Sequence, residues 1–137
     1  MDINEINRTV IEEFRANGGV VTGQFDGIPL LLLETTGARS GEKRVKPLAY
    51  FEDGGHLVII ASFAGAEKSP PWFFNLVKNP DVGVEVGKEQ FGARARVTDE
   101  PERTELYAKM VAKVPVFADY QAKTERVIPV VVLEKAG

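Results

Sequence analysis

Arg39, Lys43, Arg44 and Lys46 place four cations within eight residues, in and just beyond Thr35-Thr36-Gly37-Ala38-Arg39-Ser40-Gly41-Glu42-Lys43-Arg44. Gly37 and Gly41 permit a tight turn whose backbone N–H groups converge on an anion. Arg grips a phosphate or carboxylate through two parallel hydrogen bonds. The spacing is neither that of a P-loop nor that of a dinucleotide fingerprint, and no helix follows. A solvated basic hairpin is the other reading of the same residues.

Three further clusters could do chemistry. Ala61-Ser62-Phe63-Ala64-Gly65-Ala66 leaves a strand through small residues, over which a flat ring could lie close to the backbone. Ser62 would offer a hydroxyl and an amide at its edge, although an ordinary strand exit looks the same. Pro70-Pro71-Trp72-Phe73-Phe74-Asn75-Leu76 holds three consecutive aromatics and the only tryptophan. They cannot all face one core from a single helical turn, so at least one lines a groove or an interface. Asn75 would bond a neighbouring backbone or a ligand. Phe117 and Tyr120, three apart, share a face of a helical turn. They wall a substrate pocket, with Tyr120 able to donate a proton, or they pack the barrel mouth.

Cysteine is absent and histidine occurs once, at His56. No thiolate nucleophile, disulfide or Cys-based metal site is possible, and no metal is expected. A Ser–His–Asp triad has one candidate base, and no Ser sits in a nucleophile elbow. His56 follows two turn glycines and reads as a solvent-facing strand start. Redox or group-transfer chemistry would therefore fall to a bound cofactor.

The elements that must position these residues follow from periodicity. Ile3, Ile6, Val10 and Phe14 form one apolar stripe, predicting a helix over 2–17 that Gly18 and Gly19 stop. Its stripe docks on the domain or rests on a membrane surface. The mixed charge of Glu5, Arg8, Glu12, Glu13 and Arg15 favours docking. Strands are predicted over 30–35, 45–52, 56–63, 82–86, 91–98 and 127–134. Asp53-Gly54-Gly55 and Gly87-Lys88-Glu89 read as hairpin turns, and Pro129 suggests an edge strand or a bulge. Short helices are predicted over 71–77 and 102–114, with a further turn around 117–121. Hairpins outnumber crossover helices, so the fold class is α+β: a small barrel of mostly antiparallel strands with peripheral helices.

The chain has 137 residues, enough for one domain, with a helix over 1–19 and a barrel core over 20–137. At 44% hydrophobic and 27% charged residues it has a globular composition. Its 17 Lys and Arg against 20 Asp and Glu give a net charge of −3, which argues against general nucleic-acid binding. No apolar run approaches the roughly 20 residues of a spanning helix, and the N-terminus lacks a basic leader. A cytoplasmic location is the default, with membrane association through the N-terminal helix as its variant.

The segments 31–41, 44–48 and 71–80, with Asp119-Tyr120-Gln121 and the run 124–132, taken in order, resemble the deazaflavin-dependent nitroreductase family of actinobacteria. The resemblance implies a split β-barrel, of the kind that also binds FMN, holding the deazaflavin cofactor F420. It implies hydride transfer from reduced F420 to a small electron acceptor: a quinone, a nitroaromatic or another electron-poor molecule. The anionic phosphate and oligoglutamate tail of F420 gives the basic turn a purpose.

Carried over by position, Arg39, Ser40 and Gly41 would meet the tail, and Arg44, Val45, Lys46, Pro47 and Leu48 would run alongside the cofactor. Ile60, Ala61, Ser62 and Phe63 would border the ring, with Trp72 and Asn75 beside it. Phe117, Tyr120 and Trp72 would face the substrate, and Tyr120 or Ser62 would supply a proton. Ala38 and Phe63 stand where relatives often carry basic or polar residues. Phe117 replaces a tyrosine of the nitroreductase prototype, which removes a donor near the acceptor. An FMN-dependent oxidoreductase on the same barrel, and a non-catalytic carrier of F420 or a lipid-like ligand, are the alternatives. Either a monomer or a homodimer fits the sequence.

Overall fold

The computed structural model describes residues 3–21, 29–62 and 65–135. Seven strands are described: β1 (Leu30–Thr36), β2 (Lys43–Ala49), β3 (Phe51–Asp53), β4 (His56–Ile60), β5 (Asp81–Val86), β6 (Glu89–Val97) and β7 (Val130–Lys135). They form one sheet in the order β2-β1-β5-β6-β7-β4-β3, every neighbouring pair antiparallel. Four helices accompany them: α1 (Ile3–Ala16), α2 (Pro71–Lys78), α3 (Glu102–Lys113) and α4 (Val116–Ala122).

The expected strand over 45–52 is two strands, because the chain changes edges at Tyr50. β2 and β3 lie at opposite ends of the strand order and are joined by that one residue. One residue spans at most about 7 Å, so the two edges of the sheet must meet. The sheet therefore curls into the antiparallel barrel that the hairpins implied.

Alternation sorts the side chains. Leu31, Leu33, Leu57, Ile59, Val131 and Leu133 fill the barrel interior with Val82, Val84 and Ala93. Val58, Ile60, Val130 and Val132 face outward and pack under Leu106, Tyr107 and Met110 of α3. Leu30 and Leu32 face outward under Val10 and Phe14 of α1. Strands covered on both faces read as continuous apolar runs, which explains 30–33 and 57–61.

α1 ends at Gly18 and Gly19, both in the left-handed region (φ 61° and 94°). A Cβ on Gly19 would stand 2.7 Å from the Gly87 Cα, so two backbones touch where the helix meets the β5–β6 turn. Arg15 donates from Nη2 and Nε to the two Glu85 carboxylate oxygens, at 2.7 and 3.2 Å. The buried part of the apolar stripe is thus committed to the barrel, the docking that the mixed charge of this helix favoured.

β7 corrects another expectation. Pro129 suggested an edge strand or a bulge; the edge is excluded, because β7 lies between β6 and β4. The proline sits one residue ahead of the strand, where its missing N–H breaks no ladder bond. Its carbonyl still accepts from the Ala61 N–H at 3.0 Å. The β3–β4 turn runs through Gly54 and Gly55 at φ 59° and 85°, the geometry that two-residue hairpins favour. His56 opens β4 exposed to solvent.

Candidate cofactor site

The interior row of β1 reads Leu31, Leu33, Thr35, so the barrel lining turns polar at its mouth. α2 lies across that mouth, opened by Pro70-Pro71 and closed at Asn79. Its three aromatics divide as consecutive helical residues must. Trp72 is buried against the barrel interior, Phe73 is partly buried beside it, and Phe74 is 53% exposed.

Between α2 and the β1–β2 turn runs a groove of about 740 Å³. Gly37, Ala38, Arg39 and Ser40 form one wall, and Thr35, Arg44 and Lys46 the floor. Ser69, Pro71, Trp72, Phe74 and Asn75 form the other wall. The volume is that of an ordinary small-molecule site.

The turn is rigidly built. Gly37 N–H donates to Glu42 O at 2.8 Å, and Gly41 N–H donates to Gly37 O at 3.0 Å. Gly41 takes φ 72°, which favours glycine. Glu42 N–H donates to Ser40 Oγ at 3.1 Å. Asn75 then pins the turn to α2, its Oδ1 accepting from Ala38 N–H at 3.0 Å and its Nδ2 donating to Thr35 Oγ1 at 3.2 Å. Lys78 Nζ donates to Ala38 O at 2.7 Å.

The cations are unequal. Arg44 reaches Glu42 at 3.2 Å and Lys43 donates to Thr36 Oγ1 at 3.0 Å. Arg39 and Lys46 have no anionic partner among the described residues, and both line the groove. Such an arrangement attracts an anion from solvent.

Antiparallel register sorts the remaining β2 positions. Arg44, Lys46 and Leu48 pair with Thr35, Leu33 and Leu31 and share their interior face. Val45 packs instead with the cluster under α1, and Pro47, opposite Leu32, faces the same way. Of the run 44–48, then, only Arg44 and Lys46 line the groove. Gly41 belongs to the turn but not to the lining. Ala61 is in the barrel interior, whereas Ile60 faces α3 and α4. Ser62 is buried in the segment leaving β4, and Phe63 lies outside the described residues.

Phe117 and Tyr120 stack edge to face at 5.2 Å on the outer cluster under α3 and α4, and neither lines the groove. Tyr107 donates its hydroxyl to Phe117 O, and burial raises the Tyr107 pKa. The main chain at Tyr120 lies close to the segment that follows Ser62. A Cβ on Gly65, three residues past Ser62, would lie 2.8 Å from Tyr120 O.

Sequence reasoning passed over Arg126 as a functional residue. Its guanidinium donates to Ala61 O at 3.1 Å, Ser62 O at 2.9 Å, Ala66 O at 2.8 Å and Ser69 Oγ at 3.2 Å. Burial lowers its pKa, and no carboxylate faces it among the described residues. Gln121 Nε2 donates to Arg126 O at 2.7 Å, and Gln121 Oε1 accepts from Arg103 at 2.6 Å. A polar chain thus runs from α3 through α4 to Ser69 in the groove wall. Thr35 and Ser69 were missed too. The row Leu31-Leu33-Thr35 carried a signal for Thr35, but nothing local marks Arg126. Among the described residues no group of three or more His, Asp or Glu could hold a metal ion, and no helix is long and apolar enough to cross a membrane.

The family model described as F420H2-dependent quinone reductase matches residues 6–135. The chain belongs to this F420H2-dependent quinone reductase family. A member from Mycobacterium tuberculosis, an F420H2-dependent quinone reductase, is 36% identical over 126 residues, covering 89% of this chain and 85% of the relative. The solved structure of an F420H2-dependent reductase aligns with a TM-score of 0.72 at 40% identity, over 77% of this chain and 94% of its own. A second solved structure, a domain-swapped dimer, aligns with a TM-score of 0.73 at 35% identity over 96% of both chains. The groove's donor set fits the family's cofactor: two unneutralised cations suit an acidic tail, and a buried tryptophan beside small residues suits a flat ring.

Proposed function

We propose that this chain, as a member of its family, binds F420H2 in the groove between α2 and the β1–β2 turn and reduces quinones there. The observation that carries the reading is the pairing of Arg39 and Lys46, which lack carboxylate partners among the described residues, with Trp72 across one groove. When bound, the reduced deazaflavin supplies a hydride. The protein's share is placement. Arg39 and Lys46 hold the anionic tail, with Ser40 and Gly41 shaping the turn that presents it. Asn75 keeps that turn at a fixed distance from α2. Trp72, Ala61 and Ser62 border the ring and exclude water from one side. Holding acceptor and ring atoms within about 3.5 Å is itself a large part of the rate enhancement.

A quinone that receives a hydride also takes up one proton to become a hydroquinone. The Tyr120 hydroxyl, the Ser62 hydroxyl or water delivers it. Phe117 backs Tyr120. The observation favouring a homodimer over a monomer is the domain-swapped relative, and light scattering on the purified protein tests it.

The test of function is a titration of F420 and of FMN against Trp72 fluorescence, followed by mixing protein, F420H2 and a panel of quinones and nitroaromatics. Binding of F420 tighter than FMN, with oxidised-cofactor absorbance returning faster than in a protein-free control, is the expected result. Tighter FMN binding would overturn the cofactor, and binding without turnover would make the protein a carrier.

A further inference from the structure

The groove floor contains a hydrogen-bond polarity that can be read without ambiguity. Ala38 N–H is donor only, so Asn75 must turn Oδ1 toward it, at 3.0 Å. That leaves Asn75 Nδ2, also donor only, facing Thr35 Oγ1 at 3.2 Å. Thr35 Oγ1 must therefore accept, and its own hydrogen points elsewhere. Among the described residues no oxygen receives that hydrogen. Thr35 is only 1% exposed, and what remains open faces the groove.

We propose that Thr35 is a ligand-positioning residue, whose hydroxyl donates a hydrogen bond to an acceptor oxygen of the molecule in the groove. This rests on the cofactor reading above. The chain of bonds is directional: Ala38 N–H to Asn75, Asn75 N–H to Thr35, Thr35 O–H to the ligand. A buried donor left unpaired is costly, so the floor selects an oxygen acceptor at that point and disfavours an N–H or apolar group. The acceptor is a phosphate oxygen of the tail or a carbonyl oxygen of the ring.

The test is a set of F420 titrations followed through Trp72 fluorescence, using wild type, Thr35→Val, Thr35→Ser, Asn75→Asp and the double variant Thr35→Val/Asn75→Asp. Thr35→Val keeps the shape and removes the donor, and should weaken F420 by about tenfold, the worth of one buried hydrogen bond. Thr35→Ser keeps the hydroxyl and should bind within about threefold of wild type by the same reasoning. Asn75→Asp replaces the Nδ2 donor by an acceptor, so Thr35 must donate to Asp and turns lone pairs to the groove. On that background Thr35→Val should cost less than about twofold, and the cycle cancels the added charge. The same penalty in both backgrounds would make Thr35 a structural prop, and no penalty in either would remove it from the site; both results overturn the proposal. Repeating the series with a deazaflavin chromophore lacking phosphate and tail locates the acceptor: a penalty with F420 alone assigns it to the tail, and a penalty with both assigns it to the ring. Failure of wild type to bind F420 would instead sink the cofactor reading itself.

Discussion

The cations of the β1–β2 turn differ in how far the protein already neutralises them, and this predicts a graded response to their removal. Arg39 and Lys46 line the groove without a carboxylate partner among the described residues, whereas Arg44 is bridged to Glu42 at 3.2 Å. Loss of a charge-assisted hydrogen bond costs about 1.5–3 kcal/mol. Arg39 is exposed, so solvent screening places it near the lower end. Arg39→Ala and Lys46→Ala should therefore each weaken F420 by roughly tenfold, and the double variant by roughly a hundredfold if their effects add. Arg44→Ala should cost no more than about threefold, because an exposed, already paired cation contributes little. Titration against Trp72 fluorescence reads all four, at 0.1 M and 1 M salt. The Debye length falls from about 10 Å to about 3 Å over that range, so wild-type affinity should drop steeply while the double variant scarcely responds. A double variant that binds like wild type at low salt, or one that keeps the wild-type salt response, would refute the reasoning.

Three other perturbations separate neighbouring parts of the structure. Arg126→Met removes four hydrogen bonds and should destabilise the protein by about 2–4 kcal/mol, a fall in Tm of roughly 5–15 °C; a melting curve matching wild type would show that the clasp contributes nothing. Tyr120→Phe should lower kcat by about 10²-fold with KM little changed if the hydroxyl delivers the proton, and unchanged turnover would reduce Tyr120 to a wall. The Arg15 guanidinium holds the Glu85 carboxyl below its ordinary pKa, so their pair stabilises the docked α1 above the ordinary carboxylate value. That contribution is lost as pH falls from there through the depressed value. Glu85→Gln should flatten this part of a stability-against-pH curve, and an acid limb identical to wild type would contradict it.

Much of this arrangement was legible because it is local. Asp53-Gly54-Gly55 and the β5–β6 turn declare themselves by glycine at positive φ, and the apolar runs 30–33 and 57–61 mark strands buried on both faces. The break at Tyr50 was not legible, because alternation reports which face a residue takes and says nothing of which sheet edge its strand joins. The run 44–48 was carried over whole from the family resemblance, while pairing with β1 turns Val45 and Pro47 toward α1. Pro129 misled because one residue decides whether a proline stands inside a ladder or just before it. Phe117 and Tyr120 share a helical face as their spacing required, but that face meets α3, and spacing alone does not name the neighbour. Arg126 left no trace, since its partners are main-chain carbonyls and one hydroxyl 57–65 positions away.

That last property has a consequence for how the protein can change. Arg126 fastens the stretch after β4 through the oxygens of Ala61, Ser62 and Ala66, atoms every amino acid possesses. Mutation at Ser62 or Ala66 can therefore exchange the side chain without undoing the fastening. Lineages, or a laboratory library, could vary the side chains at these two places while the chassis stays still.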